Sequence, residues 1–285
     1  MENKIQNEII NPSSQIYYIT EILKNYGYKK SNKVNFAAKY GRLDLIKLLH
    51  YKGYIGTKNA INYAAENGHL EVVKYLHELG YKGSERAINN AAYNGHLEIV
   101  KYLYEKGYKE NDLAFMYVAI NKHLHILEYF HSLKLRGPDD LIFYAVMYRH
   151  LNVIKYLISQ NYQVNKSAFI YATYNNLLHI LEYFHSLKLR GPEDLIQYAA
   201  YEGELNIIKY LISLNYKVNN DAFYYAAKKG HLHILEYFHA ELNIKGPKNL
   251  IEIVFSNFMG RENSHLEVVK YLHEKGYKLE ARRKN

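Results

Sequence analysis

The chain has 285 residues with 37 Lys+Arg against 28 Asp+Glu, a net charge of +9, and no cysteine. The missing cysteine excludes a disulfide framework and any cysteine-based metal site or nucleophile. A hydrophobic share of 48% argues against overall disorder, and the scattered basic excess permits acidic partners without demanding them.

Residues 1–14 are polar and read as a flexible N-terminal segment. MENKIQNEII places charges where a signal peptide needs an apolar run, so an intracellular location, in cytoplasm, is expected. Residues 15–30, containing IYYITEILKNYGY, read as a helix that caps the array that follows. The longest uninterrupted apolar run, Leu141 to Tyr148, is too short to span a bilayer, so no membrane association is expected.

From residue 31 to 280 one spacing dominates. Leucine returns every 27 residues at Leu43, Leu70, Leu97, Leu124, Leu151, Leu178, Leu205 and Leu232, and Leu266 follows after an insertion. A fixed period in this range marks a stack of like supersecondary units, each burying an apolar face on its neighbours. In the unit 57–83 the spacing predicts a helix near 60–67, with Ala64 and Ala65 at its centre. It predicts a second near 70–79, with an apolar stripe of Leu70, Val73, Leu76 and Leu79. Neither would be stable alone in water.

The punctuation agrees. Thr57, Ser84, Asn111, Asn165 and Asn219 suit a helix N-cap, and Pro138 and Pro192 in the same column suit a first helical position. Gly53, Gly80, Gly107, Asn161, Asn215 and Gly276 suit a left-handed C-terminal turn, and a tyrosine follows each. Gly68, Gly95, Gly203 and Gly230 permit a tight turn between the helices, where Lys122, Arg149 and Asn176 stand in other units. The fold expected is all-α, with about nine helix-turn-helix repeats.

Two features break the monotony. From about 114 to 248 the units alternate in a 54-residue super-repeat, with SLKLRGP at 132–138 and again at 186–192. The charged column Lys101, Glu128, Lys155, Glu182, Lys209, Glu236, Lys270 alternates with it and predicts a ladder of opposite charges between stacked helices. The step from Leu232 to Leu266 carries seven extra residues, most of them near 256–264, where a protruding loop is expected. Residues 281–285 form a polar tail.

GHLEVVKYLHELG at 68–80, with AINYAA before it, resembles the ankyrin repeat. NYQVN at 161–165 and NYKVN at 215–219 are similar to the turn that ends an ankyrin unit. The richness in Tyr, Asn, Ile and Lys, and the phrase VKYL…GYK, resemble ankyrin-repeat proteins of giant DNA viruses such as mimiviruses. The resemblance implies an ankyrin-like α-solenoid. A usual ankyrin unit is about 33 residues, so the β-hairpin fingers are shortened or absent here. It also implies a core role for the column Phe36, Tyr63, Tyr117, Tyr144, Tyr171, Tyr198, Tyr225, and a concave face lined by the first helices.

Within that face, positions that packing does not fix are free to recognise. Met116, Ile120, Phe143, Met147, Ile170, Tyr174, Gln197, Tyr201 and Tyr224 are the candidate partner-binding residues. The histidine columns (His69, His96, His123, His150, His231, and His50, His77, His131, His185, His239, His273) put one ring per unit, too far apart to converge on an ion, so no metal is expected. GxSxG, P-loop, dinucleotide and HExxH patterns are absent, so neither a catalytic residue nor a cofactor is expected. The function expected is a non-catalytic, monomeric scaffold for a protein partner, host or viral. The rival reading is single-stranded nucleic-acid binding through Lys and Tyr. It is disfavoured because Glu128, Glu182 and Glu236 interrupt the basic column.

Overall fold

The computed structural model describes residues 30–257 and 263–278. The expectations for 1–14, for 15–29, for most of the 256–264 insertion and for the tail lie outside the described residues. Contacts divide the chain into two compact units that meet in sequence at Leu141 and Ile142.

Among the described residues of both units the helices pair as hairpins, four of them in the first unit. They are α1 (Lys30–Lys39) with α2 (Leu43–Tyr51), α3 (Lys58–Glu66) with α4 (Leu70–Glu78), α5 (Arg86–Tyr93) with α6 (Leu97–Glu105), and α7 (Asp112–Ile120) with α8 (Leu124–Ser132). The second unit holds five. Its pairs are α9 (Leu141–Met147) with α10 (Leu151–Ser159), α11 (Lys166–Tyr174) with α12 (Leu178–Ser186), α13 (Leu195–Glu202) with α14 (Leu205–Ser213), α15 (Asn220–Lys229) with α16 (Leu232–Glu236), and α17 (Leu250–Asn257) with α18 (Asn263–Glu274). A π-turn, Tyr237–Glu241, continues α16. Among the described residues there is no strand. Hairpins are numbered 1 to 9 in this order.

Within each unit the first helices pack on one another in sequence order, α1 on α3 on α5 on α7, and α11 on α13 on α15 on α17. Small side chains make this close approach possible. The pairs Ala37/Ala38, Ala64/Ala65, Ala91/Ala92, Ala199/Ala200 and Ala226/Ala227 are fully buried. Second helices close their own hairpins with buried residues, three in most, as Val72, Val73 and Leu76 are in α4, and two in α16, where Phe238 of the π-turn adds the third. This is the arrangement of an α-solenoid, in which each hairpin buries its apolar face on its neighbours.

The most regular residue in the sequence is not the most buried. Leu70 is the first residue of α4 and only half-buried, and Leu79 lies past the helix end with 50% of its surface exposed. The buried stripe therefore runs through 72, 73 and 76, not 70, 73, 76 and 79. The repeating leucine marks where each second helix begins.

Caps follow the sequence in most units. Asn111, Asn165 and Asn219 accept the N–H groups of Ala114, Ala168 and Ala222 at 3.3, 2.9 and 2.9 Å, and Thr57 accepts that of Asn59 at 3.2 Å. Ser84 differs: its hydroxyl accepts the Asn62 amide of the preceding hairpin at 2.9 Å. The proline positions also differ. Pro138 leads a turn closed by the Leu141 N–H on the Pro138 carbonyl, and α9 starts at Leu141, not at the proline. Left-handed φ occurs at each expected turn, including Lys122 (63°), Arg149 (62°) and Asn176 (54°).

The 54-residue super-repeat is visible in the core. Phe115 meets Phe130 at 4.9 Å between ring centres in hairpin 4, Phe169 meets Phe184 at 5.0 Å in hairpin 6, and Phe223 meets Phe238 at 4.9 Å in hairpin 8. Hairpins 5 and 7 fill the same places with Ile142 and Leu157, and with Ile196 and Leu211. The loop after each Phe hairpin must then hold glycine: a Cβ on Gly191 would lie 2.7 Å from the Phe169 ring.

The charged column forms no ladder of opposite charges. Lys101 pairs with Glu98 in its own helix at 2.8 Å and lies over the Tyr129 ring of the next hairpin. Lys155 and Lys209 lie over Tyr183 and Tyr237 in the same way, at 5.3 Å each. A cation over an aromatic face keeps its solvent contact, and local pairs three residues apart need no neighbouring repeat.

Candidate functional site

The outward face of the first helices carries the candidate residues other than Gln197. In the first unit, Met116 and Ile120 sit half-buried on α7. Beside them Tyr93 meets Tyr117 edge-on at 5.1 Å.

In the second unit the row is aromatic and falls into two runs of ring contacts. Phe143 on α9 meets Tyr171 on α11 edge-on at 5.8 Å. Tyr174, at the end of α11 and 40% exposed, stacks on Tyr201 of α13 at 5.6 Å. Tyr201 meets Tyr225 of α15 at 5.5 Å, and Tyr225 meets Tyr224 at 5.1 Å. Met147 and Ile170 are half-buried alongside. Two cations frame the row: Lys229 lies 4.1 Å over the Tyr201 ring and Lys228 lies 5.4 Å over Tyr224. The row exists because helical positions one turn apart, repeated by stacking, align on one surface.

Tyr174 is chemically distinct from its neighbours. Its hydroxyl bonds to the Glu202 carboxylate, which with partial burial and the nearby Tyr201 pushes its pKa up to about 12. A phenol beside a carboxylate resists ionisation because two negative charges would meet.

Gln197 does not share this face. It is only 9% exposed, donates to Asp194 at 2.9 Å and accepts from Asn219 of the next hairpin at 3.4 Å. Two polar residues of its column, Asn35 and Asn62, also bond to the next hairpin, while Asn89 is buried with its Oδ1 without a hydrogen-bond partner. Asn35 donates to Thr57 at 2.9 Å while the Thr57 N–H returns to Asn35 at 3.0 Å, and Asn62 and Ser84 repeat the exchange at 2.9 and 3.0 Å. The expected tyrosine core column also moves outward. Tyr63 is 37% exposed, and Tyr117, Tyr144, Tyr171, Tyr198 and Tyr225 are half-buried, because the paired small residues beside them already fill the space between first helices.

The histidines join neighbouring hairpins. His69, His96 and His123 bond the carbonyls of Lys39, Glu66 and Tyr93 at 3.1, 3.2 and 2.9 Å, and His231 and His265 bond those of Tyr201 and Lys228 at 3.0 and 2.9 Å. Each thus caps the end of the preceding hairpin's first helix. The other column works at the opposite edge. His50 lies 2.8 Å from the Tyr81 hydroxyl, which accepts the Gly56 N–H at 2.9 Å. His77, Gly83 and Tyr108 repeat this at 3.0 and 2.6 Å. Sequence reasoning gave these residues structural roles without pairing them. The signal was present: a histidine, a glycine six residues on and a tyrosine 31 residues on recur together. Among the described residues no three metal-ligating side chains converge, and no helix is long and apolar enough to cross a membrane.

The fold defines an all-α array of stacked helical hairpins. Sequence models of ankyrin repeats match two stretches of it, residues 34–114 and 196–239. No curated protein matches the chain.

Proposed function

We propose that the protein is a non-catalytic scaffold that engages a partner protein through the first-helix face of its second unit. The observation that carries this reading is the aromatic row Phe143, Tyr171, Tyr174, Tyr201 and Tyr224, flanked by Met147, Ile170 and two lysines. Tyrosines with one wet edge supply large rigid contact area at low ordering cost. They are enriched among residues that dominate binding energy. The detected ankyrin repeats support the same reading. Met116 and Ile120 extend the candidate set into the first unit. The resemblance to giant-virus proteins would make the partner a host or viral protein.

The test is proximity labelling in native or infected cells. It compares the wild type with Phe143→Asp, Ile170→Asp and, on the second-helix side, Glu182→Lys. Selective loss of the same labelled proteins in the first two variants supports the reading. Retention of every labelled protein by both, with folding intact by circular dichroism, overturns it.

A further inference from the structure

Between hairpins the chain uses two kinds of seam. Where a second helix carries histidine at its end, the following loop carries glycine and the next hairpin carries tyrosine: His50–Gly56–Tyr81, His77–Gly83–Tyr108, His131–Gly137–Tyr162, His185–Gly191–Tyr216 and His239–Gly246–Tyr277. In the four triples that lie within one unit, all but that of His131, the tyrosine hydroxyl accepts the glycine N–H and lies within hydrogen-bond reach of histidine Nε2. At Tyr216 the two distances are 2.9 and 3.1 Å, and at Tyr277 they are 2.9 and 3.1 Å. Where the histidine is replaced, the other two change with it: Tyr104–Glu110–Leu135, Ile158–Val164–Leu189 and Ile212–Val218–Ile244. Those seams carry no imidazole at this place.

The clasp fits one protonation state. The glycine N–H takes one lone pair of the tyrosine oxygen, so the hydroxyl proton is directed at Nε2. The imidazole proton then sits on Nδ1, which faces a second hydroxyl in three clasps, Tyr75 at 3.4 Å from His50, Tyr210 at 3.0 Å from His185 and Tyr271 at 3.1 Å from His239, and is buried without a hydrogen-bond partner in His77. A proton added at Nε2 would confront the hydroxyl proton, which must turn away and give up its bond to the imidazole. Charges nearby act in the same direction. Arg190 lies 4.1 Å over the Tyr216 ring, and its charge disfavours a charged His185, as Lys106 does for His77 and Lys275 and Lys245 do for His239. Lys47 lies over the Tyr75 ring beside His50. The opposing groups are more remote or already engaged. Glu193 is bound to Arg190 at 2.7 Å, and Glu78, Glu182 and Glu236 act on Tyr102, Tyr210 and Tyr271. The Leu181 carbonyl, which favours the charged form of His185, is its weakest influence.

We infer that the array is built with acid-labile seams. Protonation of the clasp histidines loosens the clasped edge of the contacts between hairpins 1 and 2, 2 and 3, 6 and 7, and 8 and 9, while the same edge of the contacts between 3 and 4, 5 and 6, and 7 and 8, where no clasp histidine stands, holds. Burial lowers the proton affinity of His50, His77, His185 and His239, so the clasps are intact near neutrality. The ligand of the seam is the proton itself, and hairpins 7 and 8, joined by an apolar seam between two clasped ones, are the pair that loosens as one.

Hydrogen exchange on the full chain tests this, comparing pH 7.5 with pH 5.0 after correction for intrinsic exchange. Loops 52–57, 79–85 and 187–193 carry clasp glycines; residues 109–111 and 163–165, past the tyrosines of the preceding seams, carry Glu110 and Val164 at the equivalent place and serve as the unclasped loops. Protection at the clasped loops should fall by up to about tenfold per pH unit below about 6.5, the limit set by one titrating group, with the unclasped loops unchanged. His185→Gln, which keeps an acceptor and a donor but cannot titrate, should abolish the fall at 187–193 and leave that at 52–57. Equal loss in both kinds of loop, no loss in either, or an undiminished fall in His185→Gln would each overturn the inference.

Discussion

His96 rests directly on Gly68: a Cβ built on that glycine would lie 2.8 Å from the imidazole Cε1. The same ring reaches past it to the Glu66 carbonyl at 3.2 Å. Gly68 is therefore required twice, by its φ of 80° and by the ring of the next hairpin. Gly53 has a φ of 76° and open space around it. Gly53→Ala should cost about 1 kcal/mol through backbone strain alone. Gly68→Ala should cost distinctly more, about 2–3 kcal/mol, because overpacking adds to the strain. Urea unfolding of both variants checks this, and equal losses would remove the packing argument.

Asn219→Ala should cost about 1 kcal/mol, the usual worth of a helix N-cap, because Asn219 accepts the Ala222 N–H at 2.9 Å. A thermal melt compared with Asn220→Ala, one residue inside the helix and exposed, separates the cap from general helix propensity.

Phe184 is fully buried against Phe169 and closes hairpin 6. Phe184→Ala should cost about 3–5 kcal/mol. In an array whose hairpins touch only their neighbours, that loss should appear as reduced protection around residues 166–213 before global unfolding. Uniform loss of protection across the chain would contradict this local view.

Stability of the whole chain should fall in mild acid. Burial lowers the pKa of His50, His77, His123, His131, His185, His231 and His239 below the usual 6.5. The unfolded chain therefore takes up protons first as pH falls, and the native state is disfavoured from about 6.5 down through the lowered native values. Below those values the loss levels off. The urea midpoint at pH 7.5 should exceed that at pH 5.0, and a midpoint flat over that range would count against the burial of these rings.

Tyr174 should ionise last among the exposed tyrosines. A spectrophotometric titration near 295 nm should show one phenol held back to about pH 12, and Glu202→Gln should release it toward the ordinary range near 10. No change in the Glu202→Gln titration would mean that the two side chains do not bond in solution.

Much of this fold is written in short-range signals, which a sequence displays directly. The left-handed turn at Lys122 was legible because Gly68 and Gly95 hold the equivalent places. Asn165 was legible as a cap because a side-chain oxygen before an apolar helix has few other uses. What escaped depends on neighbours 22 to 31 residues away. Gln197 looked variable, hence free, yet its amide spans to Asn219 in the next hairpin. The Lys101 and Glu128 column looked like a charge ladder, yet the lysine turns to an aromatic face. The glycine at 191 looked like loop punctuation, yet its place is dictated by the Phe169 ring. Read one column at a time, these residues are ambiguous; read as sets that change together between repeats, they are not.

The π-turn at Tyr237–Glu241 has a consequence for how such a chain can grow. Hairpin 8 carries one residue more than hairpin 6 between its histidine and its loop glycine: His239 to Gly246 spans seven positions, His185 to Gly191 six. The surplus is taken up where the helix widens, and Tyr277 still reaches both His239 and Gly246. A copying error of one codon is thus swallowed within half a dozen residues and never transmitted down the line. Arrays of this kind can accumulate such errors, copy after copy, while each joint continues to close.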